Sequence, residues 1–196
     1  MGDLHVITGC MYAGKTAELL RRIKREMIAG RRVQLFKPII DKRYSVTHVT
    51  SHDRLGIEAI PVSNTAEVVA FLKDPDVIGI DEVQFFDPAI IGFCLEQVRN
   101  GKTVICSALA TDFLGEPFRF KNSSLHIGDL MPHAQVTTLR AICTYKHEDG
   151  VICGKEADMT QRLIDGKPAS RDSPLILVGG TDSYEARCRA HHFIVD

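Results

Sequence analysis

Residues Gly9-Cys10-Met11-Tyr12-Ala13-Gly14-Lys15-Thr16 spell G-x-x-x-x-G-K-T, and this octet constrains the fold more than any other stretch of the chain. An apolar run, Leu4-His5-Val6-Ile7-Thr8, comes just before it, and a helix-like run, residues 17–24, just after. Strand, glycine loop and helix are the context that turns this short pattern into a phosphate site. The glycines let the backbone curl so that successive N–H groups point inward. The helix N-terminus adds partial positive charge. Lys15 is placed to reach the β- and γ-phosphates of ATP, and the Thr16 hydroxyl to ligate Mg²⁺.

The remaining chain reads as alternating strands and helices. The pattern predicts a helix over 15–29, with Leu19, Leu20, Ile23, Met27 and Ile28 on one face and Gly30 as its stop. Arg21, Arg22, Lys24 and Arg25 lie off that face and read as a solvated surface. Strands are expected at 33–36, 57–62, 77–80 and 103–109. Helices are expected over 66–72, capped by Ser63 or Asn64, and from Pro88 to about residue 100. The wholly apolar runs suit buried strands of a parallel sheet. The fold class is therefore α/β, a mostly parallel sheet covered by helices on both faces.

Ile78-Gly79-Ile80-Asp81-Glu82 is an apolar strand ending in two carboxylates. Downstream of such a glycine loop, Asp81 is placed to hold Mg²⁺. Glu82 is placed to take a proton from a nucleophile facing the γ-phosphate. The ATP-binding set is then Gly9 to Thr16 with Asp81, Glu82, Val83 and Gln84. A mobile arginine would help neutralise the transferred phosphoryl group, and Arg43 and Arg162 are both candidates.

After about residue 140 the pattern changes. Cys143, His147, Cys153, Cys188, His191 and His192 crowd into the tail, which reads as a small metal-stapled domain following a kinase-like domain of residues 1–140. Residues 175–180 read as a strand ending in a turn. A net charge of −1 offers no surface for nucleic acid or membranes. No apolar run approaches the ~20 residues of a membrane span. No signal peptide is visible, so six cysteines point to thiols or metal ligands and to a cytosolic protein.

Taken in order, the octet, Phe36-Lys37-Pro38, Asp41-Lys42-Arg43-Tyr44, Ser51-His52, Asp81-Glu82-Val83-Gln84-Phe85-Phe86, 112–118, Val178-Gly179-Gly180 and 184–191 resemble the type II (cytosolic, tetrameric, zinc-containing) thymidine kinases. The resemblance implies transfer of the ATP γ-phosphate to the 5′-hydroxyl of thymidine, with Glu82 as general base. It implies that Met11, Phe85 and Phe113 surround thymine and deoxyribose. It implies that Leu175, Ile176, Leu177, Val178 and Gly179 bind the base through their main chain, and that Tyr184 closes from a lid formed by a zinc domain of residues 141–196. It also implies a homotetramer.

The zinc half-site Cys188-Arg189-Ala190-His191 fits that family, but nine residues lie between Cys143 and Cys153 where one or two are usual. The expected ligands are Cys143, Cys153, Cys188 and His191, because Cys153-Gly154 matches the family's second Cys-Gly. His147 in place of Cys153, and His192 in place of His191, are the alternatives. Cys10 reads as oxidation-sensitive, and Cys94 and Cys106 as packed. The competing functions are an ATPase acting on macromolecules and a zinc ribbon binding nucleic acid.

Overall fold

The computed structural model describes residues 2–39, 48–49, 57–175 and 184–195. Strand β1 (Leu4–Thr8) leads through the glycine loop into α1 (Lys15–Ile28). Then come β2 (Val33–Pro38), β3 (His48–Val49), β4 (Ile57–Val62), α2 (Thr65–Phe71), β5 (Val77–Ile80), α3 (Ala89–Arg99), β6 (Thr103–Ala108) and β7 (Gln135–Thr138). The sheet order is β3-β4-β2-β5-β6-β1-β7. Every pairing is parallel except β3 with β4.

The core shows why these runs are strands. Neighbouring residues point to opposite faces, and each face has its own apolar cluster. Val6, Phe36, Ile78 and Val104 pack on one side with Val68 of α2 and Ile90, Phe93 and Cys94 of α3. Ile7, Leu35, Val77 and Ile105 pack on the other with Leu19, Leu20 and Ile23 of α1. Burial on both faces explains the continuous apolar runs of the central strands and leaves their ends open to solvent.

Helix limits follow their chemistry. Asn64, rather than Ser63, caps α2: its side chain accepts from the Glu67 N–H at 2.9 Å, while the Glu67 carboxylate accepts from the Ser63 N–H at 2.7 Å. Pro88 is the N-cap of α3, not its first residue. On α1, Met27 and Ile28 are exposed in the last turn and belong to neither core cluster. The basic face of α1 is solvated only in part. Arg22 is largely covered and donates to the Thr137 hydroxyl at 2.9 Å, tying the helix to β7.

Several elements were not read from the sequence. β7 is polar and half exposed, so it lacks an apolar signature. β10 (Met159–Ile164) lies in a polar stretch with no apolar run; Thr160, Gln161 and Arg162 are buried there with polar partners. The tail also holds β8 (Ala141–Ile142), β9 (Glu156–Ala157), β11 (Lys167–Pro168) and β12 (Tyr184–Arg187). These form the sheets β8-β9 and β11-β10-β12. Of the strand expected at 175–180, only Leu175 is described, in a bend; 176–180 lie outside the described residues.

Gly79 on β5 has no room for a side chain. A Cβ there would stand 2.3 Å from Ile23 Cδ1 and 2.8 Å from Leu35 Cδ1. Gly79→Ala is expected to lower unfolding free energy by about 1–3 kcal/mol through overpacking, read as a shifted urea midpoint with unchanged slope.

Candidate active site

The site sits at the C-terminal ends of β1, β5 and β6. Gly9 follows β1 with φ +151°, and a Cβ there would fall 2.3 Å from the Leu139 carbonyl oxygen. Gly14, the N-cap of α1, has φ +84°, and Tyr12 is left-handed at φ +66°. These turns fold the loop over the helix N-terminus, as a phosphate cradle requires. The buried Lys15 ammonium donates to the Cys10 carbonyl at 2.8 Å, across the loop's own bend.

The strand-end carboxylates stand opposite. The Thr16 hydroxyl donates to the two Asp81 oxygens at 3.1 and 3.2 Å. Register places Ile80 beside Cys106, so Ser107 follows next to Asp81. The Ser107 hydroxyl donates to Asp81 Oδ1 and accepts from the Glu82 N–H at 3.1 Å. Glu82 is left-handed at φ 48°, ψ 49°, a conformation that costs a non-glycine residue about 1 kcal/mol or more and clusters at functional sites. Glu82 is only 7% exposed, and its carboxylate accepts from the Gln84 amide, whose oxygen in turn accepts from the Leu109 N–H at 3.2 Å. Paired hard oxygens from Thr16 and Asp81 suit Mg²⁺.

In the tail, ligand atoms of Cys143, Cys153, Cys188 and His191 all lie within 4.8 Å of one another. His191 Nδ1 is 3.7 Å from Cys143 Sγ and 3.5 Å from Cys188 Sγ. A tetrahedral zinc with ordinary Zn–S and Zn–N bonds needs S···N edges of about 3.6 Å, so the donor set fits. Burial, ahead of the charges of His147, Arg187 and Lys155, holds the His191 pKa below its ordinary value, which favours the neutral ligand form. The nine residues between Cys143 and Cys153 form a hairpin. Lys146 pairs with Ile152, and the Cys153 N–H donates to the Tyr145 carbonyl at 2.8 Å, which returns Cys153 to Cys143. His147 stays outside the cluster and packs edge-on against Tyr145 and His191. His192 points elsewhere, its Nε2 2.9 Å from the Phe113 carbonyl oxygen.

The thymidine kinase family profile matches residues 2–192. A thymidine kinase of Coprothermobacter proteolyticus is 44% identical over 191 residues, covering 97% of this chain and 90% of its own. One of Thermococcus kodakarensis is 46% identical over 201 aligned positions, covering 100% of this chain and 96% of its own. The chain belongs to the thymidine kinase family. Among solved structures, the ATPase DotB of Legionella pneumophila aligns with 76% of this chain and 42% of its own at 17% identity and a TM-score of 0.42, too loose a likeness to bear on fold or function.

For a thymidine kinase, the expected nucleoside residues are only partly gathered in view. Phe113 is buried under the Arg162 guanidinium, 5.3 Å from its ring centroid, and Phe85 packs edge-on against Phe118 at 5.7 Å. Tyr184 begins β12, and Met11 lies in the glycine loop. Leu175 is partly exposed, and Ile176, Leu177, Val178 and Gly179 lie outside the described residues, as do Arg43, Asp41, Ser51 and His52. Arg162 is 2% exposed and donates to the Pro174 carbonyl. Val83 is buried core. Ser107 and Thr160 were not picked out from the sequence: a lone hydroxyl carries no motif, and only sheet register and the fold of the tail bring them to the loop.

Cys10 corrects an expectation. Its thiol is buried, donates to the Ala157 carbonyl at 3.3 Å, and is pushed above its ordinary pKa chiefly by burial. A raised pKa means less thiolate at any working pH, hence an inert thiol. Native protein treated with iodoacetamide at pH 8 should leave Cys10 unmodified by peptide mass mapping, whereas urea-unfolded protein should be alkylated there. Cys94 and Cys106 are fully buried with sulfurs 4.0 Å apart, packed as expected. Among the described residues no helix is long and apolar enough to cross a membrane.

Proposed function

We propose that this chain transfers the γ-phosphoryl group of ATP to the 5′-hydroxyl of thymidine, giving thymidine monophosphate. Beside the family, the observation that carries this reading is the Glu82 carboxylate. It is buried at the end of β5, clamped by Gln84, next to the Thr16–Asp81 pair and across from the loop.

Phosphoryl transfer depends on positioning and charge more than on covalent help from the protein. The backbone from Gly9 to Thr16 and the Lys15 ammonium hold the phosphates. Thr16 and Asp81 are the residues that would hold Mg²⁺, whose charge offsets that of the β- and γ-oxygens. Glu82 accepts the hydroxyl proton as the nucleoside oxygen attacks. Gln84 and the left-handed backbone at Glu82 keep that carboxylate aimed without reorganisation. Met11, Phe85 and Phe113 supply apolar walls for base and sugar, 175–179 bind the base through their main chain, and Tyr184 closes from the lid that excludes water.

Cys143, Cys153, Cys188 and His191 would hold a structural zinc, closed by four protein ligands and so unable to activate water. The division into a kinase domain, 1–140, and a zinc lid domain, 141–196, belongs to the same reading. So do a cytosolic location and a homotetramer. Exposed Met27 and Ile28 on α1, with Val69 and Phe71 on α2, are apolar surface that an assembly would cover.

ADP release from Mg-ATP should rise many-fold on adding thymidine, with thymidine monophosphate as product, and not on adding cytidine, deoxyadenosine or single-stranded DNA. Turnover raised by DNA and indifferent to thymidine would replace this reading with an ATPase acting on macromolecules. Glu82→Gln should lower kcat by about 10²–10⁴-fold, the usual worth of a general base, while ADP affinity by calorimetry stays at the parent value. A near-normal rate would remove Glu82 from the role.

A further inference from the structure

Three consecutive residues of the glycine loop are bonded to the cysteine-rich tail. Cys10 Sγ donates to the Ala157 carbonyl at 3.3 Å, the Met11 N–H donates to Thr160 Oγ1 at 3.1 Å, and the Tyr12 hydroxyl donates to the Tyr184 carbonyl at 3.3 Å. Their partners sit on β9, β10 and β12, strands that flank Cys153 and Cys188 in the chain. Cys10 and Ala13 also share one apolar cluster with Cys143, Cys153, Cys188, Ala141 and Ala186. The loop that grips phosphate and the tail that carries the metal ligands thus form one packed unit.

We propose that Thr160 and Tyr12 are positioning residues for phosphoryl transfer, which make the shape of the phosphate loop depend on a metal-filled tail. The inference rests on the nucleotide and zinc assignments above. Tyr12 holds a left-handed backbone at φ +66°, which its neighbours must stabilise. The Thr160 hydroxyl takes the Met11 N–H, so that group is turned to the tail, while the Ala13 N–H donates to the Cys10 carbonyl at 3.4 Å and closes the loop's own bend. With four ligands drawn to one ion, β8, β9 and β12 are held in register beneath the loop. Without the ion, Thr160 and the Tyr184 carbonyl lose their common anchor, and the loop loses the contacts that set its turns. Linkage requires the reverse as well: nucleotide that fixes the loop must raise the affinity of the tail for zinc by the same factor.

The test uses the full chain with its zinc content measured first. Zinc affinity is determined by competition with a colorimetric chelator, with and without saturating Mg-ADP, and the affinity for a fluorescent ADP analogue is determined with and without zinc. Both ratios should agree at about 5-fold or more. Thr160→Val and Tyr12→Phe should bring the ratio towards one, and Thr160→Ser, which keeps the acceptor, should retain it. A merely structural role would weaken zinc binding equally with and without ADP, leaving the ratio unchanged, and that result overturns the inference. Zinc bound with an affinity indifferent to ADP, in protein that does bind ADP, overturns it too and leaves the kinase reading intact. Protein isolated without stoichiometric zinc overturns the zinc assignment and this inference with it.

Discussion

The structure turns on the approach of Gly9 to Leu139. The chain leaving β1 must bend at once to form the loop, and the chain leaving β7 passes against that bend, with the Leu139 N–H donating to the Thr8 carbonyl at 2.7 Å. The carbonyl of the same residue lies where a side chain on residue 9 would have to be. This contact joins the first strand of the sheet, the phosphate loop and the first residues of the tail. Any side chain at position 9 would push the tail away from the loop that it supports.

From that point the chemistry is laid out by sheet geometry. Parallel strands buried on both faces leave their C-terminal ends as the place where polar side chains can gather. Asp81 and Ser107 meet there because β5 and β6 are neighbours in register, and Glu82 follows in a left-handed turn that lifts its carboxylate out of the strand line. Two acids buried this close need partners, since an unpaired buried charge is costly. Hydroxyls from Thr16 and Ser107 and the amide of Gln84 supply them.

The tail follows a different economy. It has little apolar content and short strands, so packing alone gives it a small core. Its hydrogen-bonded hairpin compensates in part, and a zinc held by its cluster of three thiols and one imidazole would add the rest. The stack in which the Tyr145 ring lies 4.1 Å from the His191 ring, with the Arg187 guanidinium 4.8 Å from Tyr145, fixes the orientation of that imidazole.

Much of this was legible in the sequence. Gly9 to Thr16, the Asp81-Glu82 strand end and the helices around them are set by short-range rules: glycine at positive φ, apolar period, caps. Those rules act between residues near in the chain, so a reader of the sequence can apply them. The expected cluster of Cys143, Cys153, Cys188 and His191 does come together, whereas the anchoring of Arg162 and the inertness of Cys10 were not legible, because each depends on which distant residue arrives beside it. β7 was missed for the same reason: its place is decided by β1 and Arg22, not by its own composition. The sequence by itself determined a phosphate loop, an α/β sheet and a cysteine-rich tail. Only the tertiary structure decided what holds Glu82 and that loop and tail are one unit, since burial and hydrogen bonding across long chain separations leave no local pattern.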